Sequence, residues 1–262
     1  MRDLAESGTQ VFYTTHSSNF LSVANFDDIF IVRKGIDGTY IKFSDVNKFI
    51  VDFKIRTGTE TDVETMKLYY MNAYENTGDS KSANEAFFAK KIILVEGHSE
   101  SLLLPYFLKK LNFDFIKEGI SIVCCGSKVE IDRFLRLYLE FGIPCYVIFD
   151  GDKRFDSDSQ KRVISISRNK RLFLILDTEY TGDYPNNQVK PNYLGFEYRF
   201  EDNLNFTTSK KGLNLYREAR KKYEIEHITI PTWLLNLIQK VKELPFEAQS
   251  ILLELPTTPI VR

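Results

Sequence analysis

Apolar and polar positions follow two rhythms in this chain. Residues 91–95 (KIILV) form an unbroken apolar run, as expected of a strand buried on both faces of a parallel sheet. Residues 99–111 then place Leu102, Leu103, Phe107, Leu108 and Leu111 on one side of a helix. The unit repeats. Residues 119–124 read as a strand, Gly126 as a turn, and 129–141 as an amphipathic helix carrying Ile131, Phe134, Leu135 and Leu139. Residues 144–149 read as a third strand and 171–176 (RLFLIL) as a fourth. Strands alternating with helices predict an α/β fold with a parallel sheet and right-handed crossovers.

The flanks read differently. Residues 10–14 are β-branched and aromatic, like a buried strand, and 28–33 and 39–43 read as strands around a turn at 35–38. They look like edge pieces of a larger sheet whose remainder is not obvious. Residues 45–84 are helical but weakly cored, with breaks at 57–59 and 77–82 and a linker near 76–84. The tail, 233–255, reads as a helical hairpin broken near Pro245. The domain expectation is 1–83 and 84–262.

Hydrophobic residues are 43% and charged residues 27% of 262, an ordinary globular composition. No apolar run approaches the roughly 18 residues that span a bilayer, and residues 1–10 lack a signal-peptide core, so a cytoplasmic protein without membrane contact is expected. Cys124, Cys125 and Cys145 are odd in number and contain no CxxC pair, which argues against disulfides and structural zinc. They read as core residues. The net charge of −1 gives nucleic-acid binding no global support. Locally, 209–223 (SKKGLNLYREARKKY) carries Lys210, Lys211, Arg217, Arg220, Lys221 and Lys222. It is either a solvated helix face or a phosphate-tracking surface.

Open α/β sheets bind ligands at the carboxyl ends of their strands. Glu96 and Glu100 follow the first strand of the repeating unit, and Asp150-Gly-Asp152 follows the third. Any one of these acids suits a helix cap. Together on one sheet edge, with no matching cation cluster in the sequence, they repel one another unless a divalent metal neutralises them. Hard carboxylate oxygens suit Mg²⁺ or Mn²⁺, one ion or two.

ILVEGHSESLLLP followed by VIFDGD resembles the Toprim signature of topoisomerases, bacterial primases and certain nucleases. The longer NEAFFAKKIILVEGHSE resembles the OLD (overcoming lysogenization defect) family, in which an ABC-type ATPase precedes a Toprim nuclease. QVFYTTHSSNFL is similar to the last strand and switch-histidine segment of such an ATPase, which makes His16 the switch residue. The resemblance covers roughly residues 8–220. It implies a Toprim-type parallel sheet flanked by helices, with a C-terminal helical segment and an N-terminal remnant of an ABC-type ATPase domain. It implies Glu96, Glu100, Asp150 and Asp152 as metal ligands, with Glu96 also a base. NYLGFEY makes Glu197 a further ligand, with Glu201 close enough to compete. The family's late lysine falls at Lys211 or Lys210, KKGLNLYREAR fitting Lys211 slightly better.

The implied activity is metal-dependent cleavage of DNA phosphodiester bonds; on the phosphate-tracking reading of 209–223, Lys210, Arg217, Arg220 and Lys221 lie on the nucleic acid. Phage defence and a homodimer are implied too. No GxxxxGK[ST] loop is present, since Gly-Ser-Lys at 126–128 lacks the rest of the pattern. ATP is therefore expected only through an ATPase part in the same gene or on a separate chain. Three alternatives stay open: a topoisomerase or primase, although neither a cleavage domain nor a zinc module is visible; an RNA nuclease; and a non-catalytic subunit of an ATPase complex.

Overall fold

The computed structural model describes residues 5, 7–35, 38–77, 79–204, 206, 212–248 and 251. Strands β1 (Phe30–Gly35) and β2 (Gly38–Phe43) pair antiparallel with each other and, among the described residues, with no other strand. Three helices follow: α1 (Val46–Thr57), α2 (Val63–Glu75) and α3 (Ser80–Glu85). Each starts at an aspartate whose side chain accepts a backbone N–H of the first turn. Asp45 takes that of Asn47, Asp62 that of Thr65 and Asp79 that of Ser82. These caps satisfy donors that a helix start leaves open. Gly58, at φ 70°, ends α1 in the left-handed conformation that glycine adopts without strain.

The second sheet is the scaffold of the molecule. It contains β3 (Lys91–Val95), β4 (Ile120–Cys124), β5 (Cys145–Asp150) and β6 (Tyr193–Phe196), all parallel, in the order β4-β3-β5-β6. Helices α4 (His98–Lys110), α5 (Lys128–Glu140) and α6 (Ser159–Leu176) connect them. After β6 come α7 (Leu213–Arg220), a π-turn at Lys221–Ile225 and α8 (Thr232–Glu243).

Alternate side chains of each strand enter different cores. Ile92, Leu94, Val147 and Phe149 pack with α5, α6 and the helices before the sheet. Ile93, Val95, Tyr146 and Ile148 pack with α4, α7 and α8. Burial on both faces explains the unbroken apolar runs. The three cysteines are buried, as expected of core residues. No described helix is long and apolar enough to cross a membrane.

Three expectations fail. Residues 10–14 form no strand, and Phe12 and Tyr13 are exposed (78% and 49%), because no described neighbour supplies a ladder. Residues 171–176 are not the fourth strand but the end of α6. Its buried positions, Ser165, Asn169, Leu172, Phe173 and Leu176, recur at helical spacing, which a six-residue window cannot distinguish from a buried strand. The fourth strand is β6, four residues long. The tail has one helix, α8; residues 244–248 form no second arm, and most of 249–255 lies outside the described residues.

A buried ion network ties α1 to the sheet's helices. Arg136 bonds Asp132 at 2.9 Å and Asp52 at 3.3 Å, Arg56 bonds Asp52 at 2.5 Å, and Arg171 pairs with Asp132. Burial alone would raise the Asp132 carboxyl; Arg136, Arg171 and Arg56 outweigh it and hold the group below its usual range. Removing one partner of a buried pair leaves uncompensated charge. Asp132→Ala is therefore expected to cost about 3–5 kcal/mol in urea unfolding; a loss well under about 1 kcal/mol, the scale of exposed pairs, would show the network to be solvent-screened.

Candidate metal centre

The strand order reverses direction next to β3. The chain places β4 on one side of it and β5 on the other, so the loops leaving β3 and β5 separate and open a crevice at their carboxyl ends. Glu96 is the first residue after β3, and Asp150 is the last of β5. The two are directly linked, since the Asp150 N–H donates to Glu96 Oε2 at 3.1 Å. Glu100, in the first turn of α4, is 4% exposed. Its side chain turns back over the helix start, and a Cβ on Gly97 would lie 3.2 Å from Glu100 Oε2. Asp150 Oδ1 accepts the Phe200 N–H at 2.8 Å, and Ser99 donates to Glu201 beside it.

These acids share one electrostatic environment. Burial, then the charges of Glu96 and Glu201, push the Glu100 carboxyl up to about 8. Burial, then Glu100, Glu96 and Glu201, push Asp150 well above the carboxylate range. Burial also raises Glu96, with Asp152 adding to it and Lys128 opposing. The late glutamate whose charge reaches Glu100 and Asp150 is thus Glu201, while Glu197 bonds Lys153 at 2.6 Å.

Asp152 stands apart from the trio. It adopts φ 60°, a left-handed conformation that aspartate tolerates better than most residues. Lys128 Nζ bonds its Oδ2 at 2.9 Å and Arg154 its Oδ1 at 3.0 Å. Between the two aspartates, Gly151 has no room for a side chain. A Cβ there would meet the carbonyls of Glu197 at 2.7 Å and Phe196 at 2.8 Å. This closeness lets the Gly151 N–H reach the Phe196 carbonyl and the Asp152 N–H that of Tyr198.

The expectation of acids without matching cations is overturned by Lys128. It opens α5 directly after β4, so a cation reaches the same sheet edge as the acids. It is 3% exposed and donates to the Asp150 carbonyl at 2.6 Å, to Asp152, and to Asn169 Oδ1 at 3.2 Å. Asn169 in turn donates to the Gly151 carbonyl at 2.9 Å. The only sequence signal for this role is Gly-Ser-Lys at 126–128, which does not complete a phosphate-loop pattern and so does not mark its lysine.

The other sequence candidates lie elsewhere. His16 is exposed. Arg220 pairs with Glu224 and Lys221 with Glu226, within or beside their own helix. Arg217 is exposed on α7. Lys210 and Lys211 lie outside the described residues.

Among the described residues, no three His, Cys, Asp or Glu side chains already close around a point that could hold a metal ion. The donor set still fits one. Its oxygens are hard, and burial keeps Glu96, Glu100 and Asp150 toward protonation, with neighbouring acids adding to it at Glu100 and Asp150, a penalty that a divalent cation would relieve. Glu96, Glu100 and Asp150 are the residues that would hold it, with Glu201 next to them.

A parallel sheet with acids at its carboxyl edge is what the resemblance to the Toprim signature implied. Residues 87–152 match the family described as Overcoming lysogenization defect protein-like, TOPRIM domain, which bears out over this segment the resemblance to the OLD family. The chain is similar to the OLD nuclease of Thermus scotoductus, at 26% identity over 159 residues. That alignment takes in 58% of this chain and 28% of the relative, so the chain spans less than a third of the relative's length. Among solved structures, the C-terminal region of the Burkholderia pseudomallei OLD protein matches at 19% identity and a TM-score of 0.32, covering 59% of this chain and 83% of that one. The C-terminal region of the Xanthomonas campestris pv. campestris OLD protein matches at 19% identity and 0.29, covering 59% and 81%.

The titration of Glu100 gives a prediction with a definite sign. Its folded-state value, about 8, lies above the ordinary 4.5. Between those values the folded protein holds a proton that the unfolded chain has lost, so stability falls as pH rises through the window. In chelator, the melting temperature is expected to drop from pH 5 to pH 8, and Glu100→Gln to flatten the drop. An equally steep drop in Glu100→Gln would assign the effect to another group.

Proposed function

We propose that this chain is a divalent-metal-dependent nuclease that cuts DNA phosphodiester bonds and works with an ABC-type ATPase part. The observation that carries the reading is the meeting of Glu96, Glu100 and Asp150 at the switch point of the sheet, within the segment matching the OLD-like Toprim family. The relative from Thermus scotoductus is itself named a nuclease.

A bound Mg²⁺ or Mn²⁺ would supply a water activated for attack on phosphorus and charge stabilisation of the leaving oxygen. The protein's own contribution is placement. The bond from the Asp150 N–H holds Glu96 across the crevice, and the Phe200 N–H holds Asp150. Lys128 fixes the Asp150 carbonyl and Asp152, so the turn between them has little freedom. Lys211, or its neighbour Lys210, is the cation proposed to neutralise charge at phosphorus. Glu201 and Glu197 remain the two candidates for the late ligand. Residues 1–83 are proposed as the C-terminal edge of the ATPase domain with a linker, His16 serving as its switch, and 84–262 as the nuclease domain. Phage defence and a homodimer rest on the family resemblance alone.

The test is cleavage of supercoiled plasmid. Cutting is expected with Mg²⁺ or Mn²⁺ and none in chelator. Asp150→Asn keeps an oxygen for the Phe200 N–H and loses the charge, so it should melt no earlier than wild type without metal. Its cleavage should fall by more than the ~10–100-fold typical of outer-shell changes. Cutting in chelator, or full activity in Asp150→Asn, would contradict the reading.

A further inference from the structure

The acidic crevice is rimmed by cations whose partners are candidate ligands. Lys153 bonds Glu197 at 2.6 Å and Arg154 bonds Asp152 at 3.0 Å. Both are well exposed (side chains 36% and 42%), unlike Lys128. They belong to the short 3₁₀ turn Lys153–Phe155 that leaves Asp152. The rings of Tyr184 and Tyr198 each lie 6.0 Å from Lys153 Nζ, and Tyr198 is 43% exposed.

Arg168 adds a third cation near these acids. It is exposed on α6 and makes no ion pair with a described residue. Its neighbour Asn169 is bonded to the Gly151 carbonyl and to Lys128, which fixes this part of α6 against the Asp150–Asp152 loop. The positive charge of Arg168 is felt at Glu96. Most other exposed lysines and arginines that pair do so with acids outside the crevice, as Lys161 does with Asp158 and Lys170 with Asp183.

We infer that Lys153, Arg154 and Arg168 form the surface that tracks the phosphates of duplex DNA beside the cutting site, and that binding of a divalent cation frees Lys153 for it. The inference rests on the nuclease reading. Glu197 and Asp152 occupy Lys153 and Arg154. When Glu197 turns toward a cation, Lys153 loses its partner; Arg154 shares Asp152 with Lys128, which keeps that carboxylate neutralised when Arg154 turns to a phosphate beside Arg168. Three positive groups and an exposed tyrosine then border the crevice, the mix of charge and aromatic surface that suits a nucleic-acid backbone. Metal and DNA should therefore bind synergistically. The α7 basic face is the weaker candidate, because Arg220 and Lys221 are paired with Glu224 and Glu226, which metal in the crevice would leave in place.

The test measures binding of a short duplex, with Ca²⁺ as a cation intended to support binding without cutting, across a salt series. Wild type should bind at least ~10-fold tighter in Ca²⁺ than in chelator, the scale of one or two additional phosphates neutralised. Every phosphate left without its cation lowers the slope of log affinity against log salt by about 0.9, so Arg154→Gln/Arg168→Gln should lower it by about 1.8. The matched pair Arg220→Gln/Lys221→Gln should leave it unchanged. Arg168→Gln alone, which breaks no described ion pair, should lower it by about 0.9 and guards against misfolding of the double variant. Unchanged slopes in the rim variants, or an equal decrease in the α7 pair, overturn the inference. If wild type cuts plasmid and the rim slopes are unchanged, only this inference fails; if it neither cuts nor binds the duplex, the nuclease reading fails with it.

Discussion

Buried like charge is the constraint on which the rest of the structure depends. Glu96, Glu100 and Asp150 meet where two strand ends part; Glu96 raises the proton affinity of Glu100, and both raise that of Asp150. A fold tolerates such a set only if its backbone and a few fixed donors hold the acids in place. The Asp150 and Phe200 N–H groups supply those donors, and Lys128 neutralises the adjoining Asp152. Gly151 permits the close approach of strand ends that brings these groups within reach of one another.

The helices that support the crevice also carry the buried ion network. Lys128 begins α5, and Asp132 and Arg136 lie one and two turns further along it. Asn169 and Arg171 are two residues apart on α6, one bonded to Lys128 and the other paired with Asp132. Asp52 and Arg56 extend the network to α1, before the parallel sheet begins. The crevice geometry and the docking of the N-terminal helices therefore use the same two elements. Displacing one should disturb both.

Much of this is legible in the sequence because a parallel sheet writes itself plainly. β3, β4 and β5 are apolar runs buried on both faces, and their carboxyl ends point to Glu96 and Asp150 without any structure. β6 escapes such a reading because YLGF is short and contains a glycine. RLFLIL misleads it because six apolar residues look alike in a strand and at a helix end. The cations are harder to foresee. Lys128 is 22 and 24 residues from Asp150 and Asp152, and Arg168 is 72 residues from Glu96; only strand order brings them together. The choice between Glu197 and Glu201 depends on side-chain direction, which spacing does not encode.

The central claim is that this crevice is a divalent-metal site whose ligands are held open by backbone and lysine bonds. The most direct measurement is anomalous diffraction from crystals of the protein grown with Mn²⁺. The account predicts a manganese peak at the carboxyl ends of β3 and β5, with Glu96 and Asp150 as ligands and Glu100 or Glu201 beside them. A protein that diffracts well with Mn²⁺ bound elsewhere, or with Glu96 still bonded to the Asp150 N–H and no peak in the crevice, would contradict it.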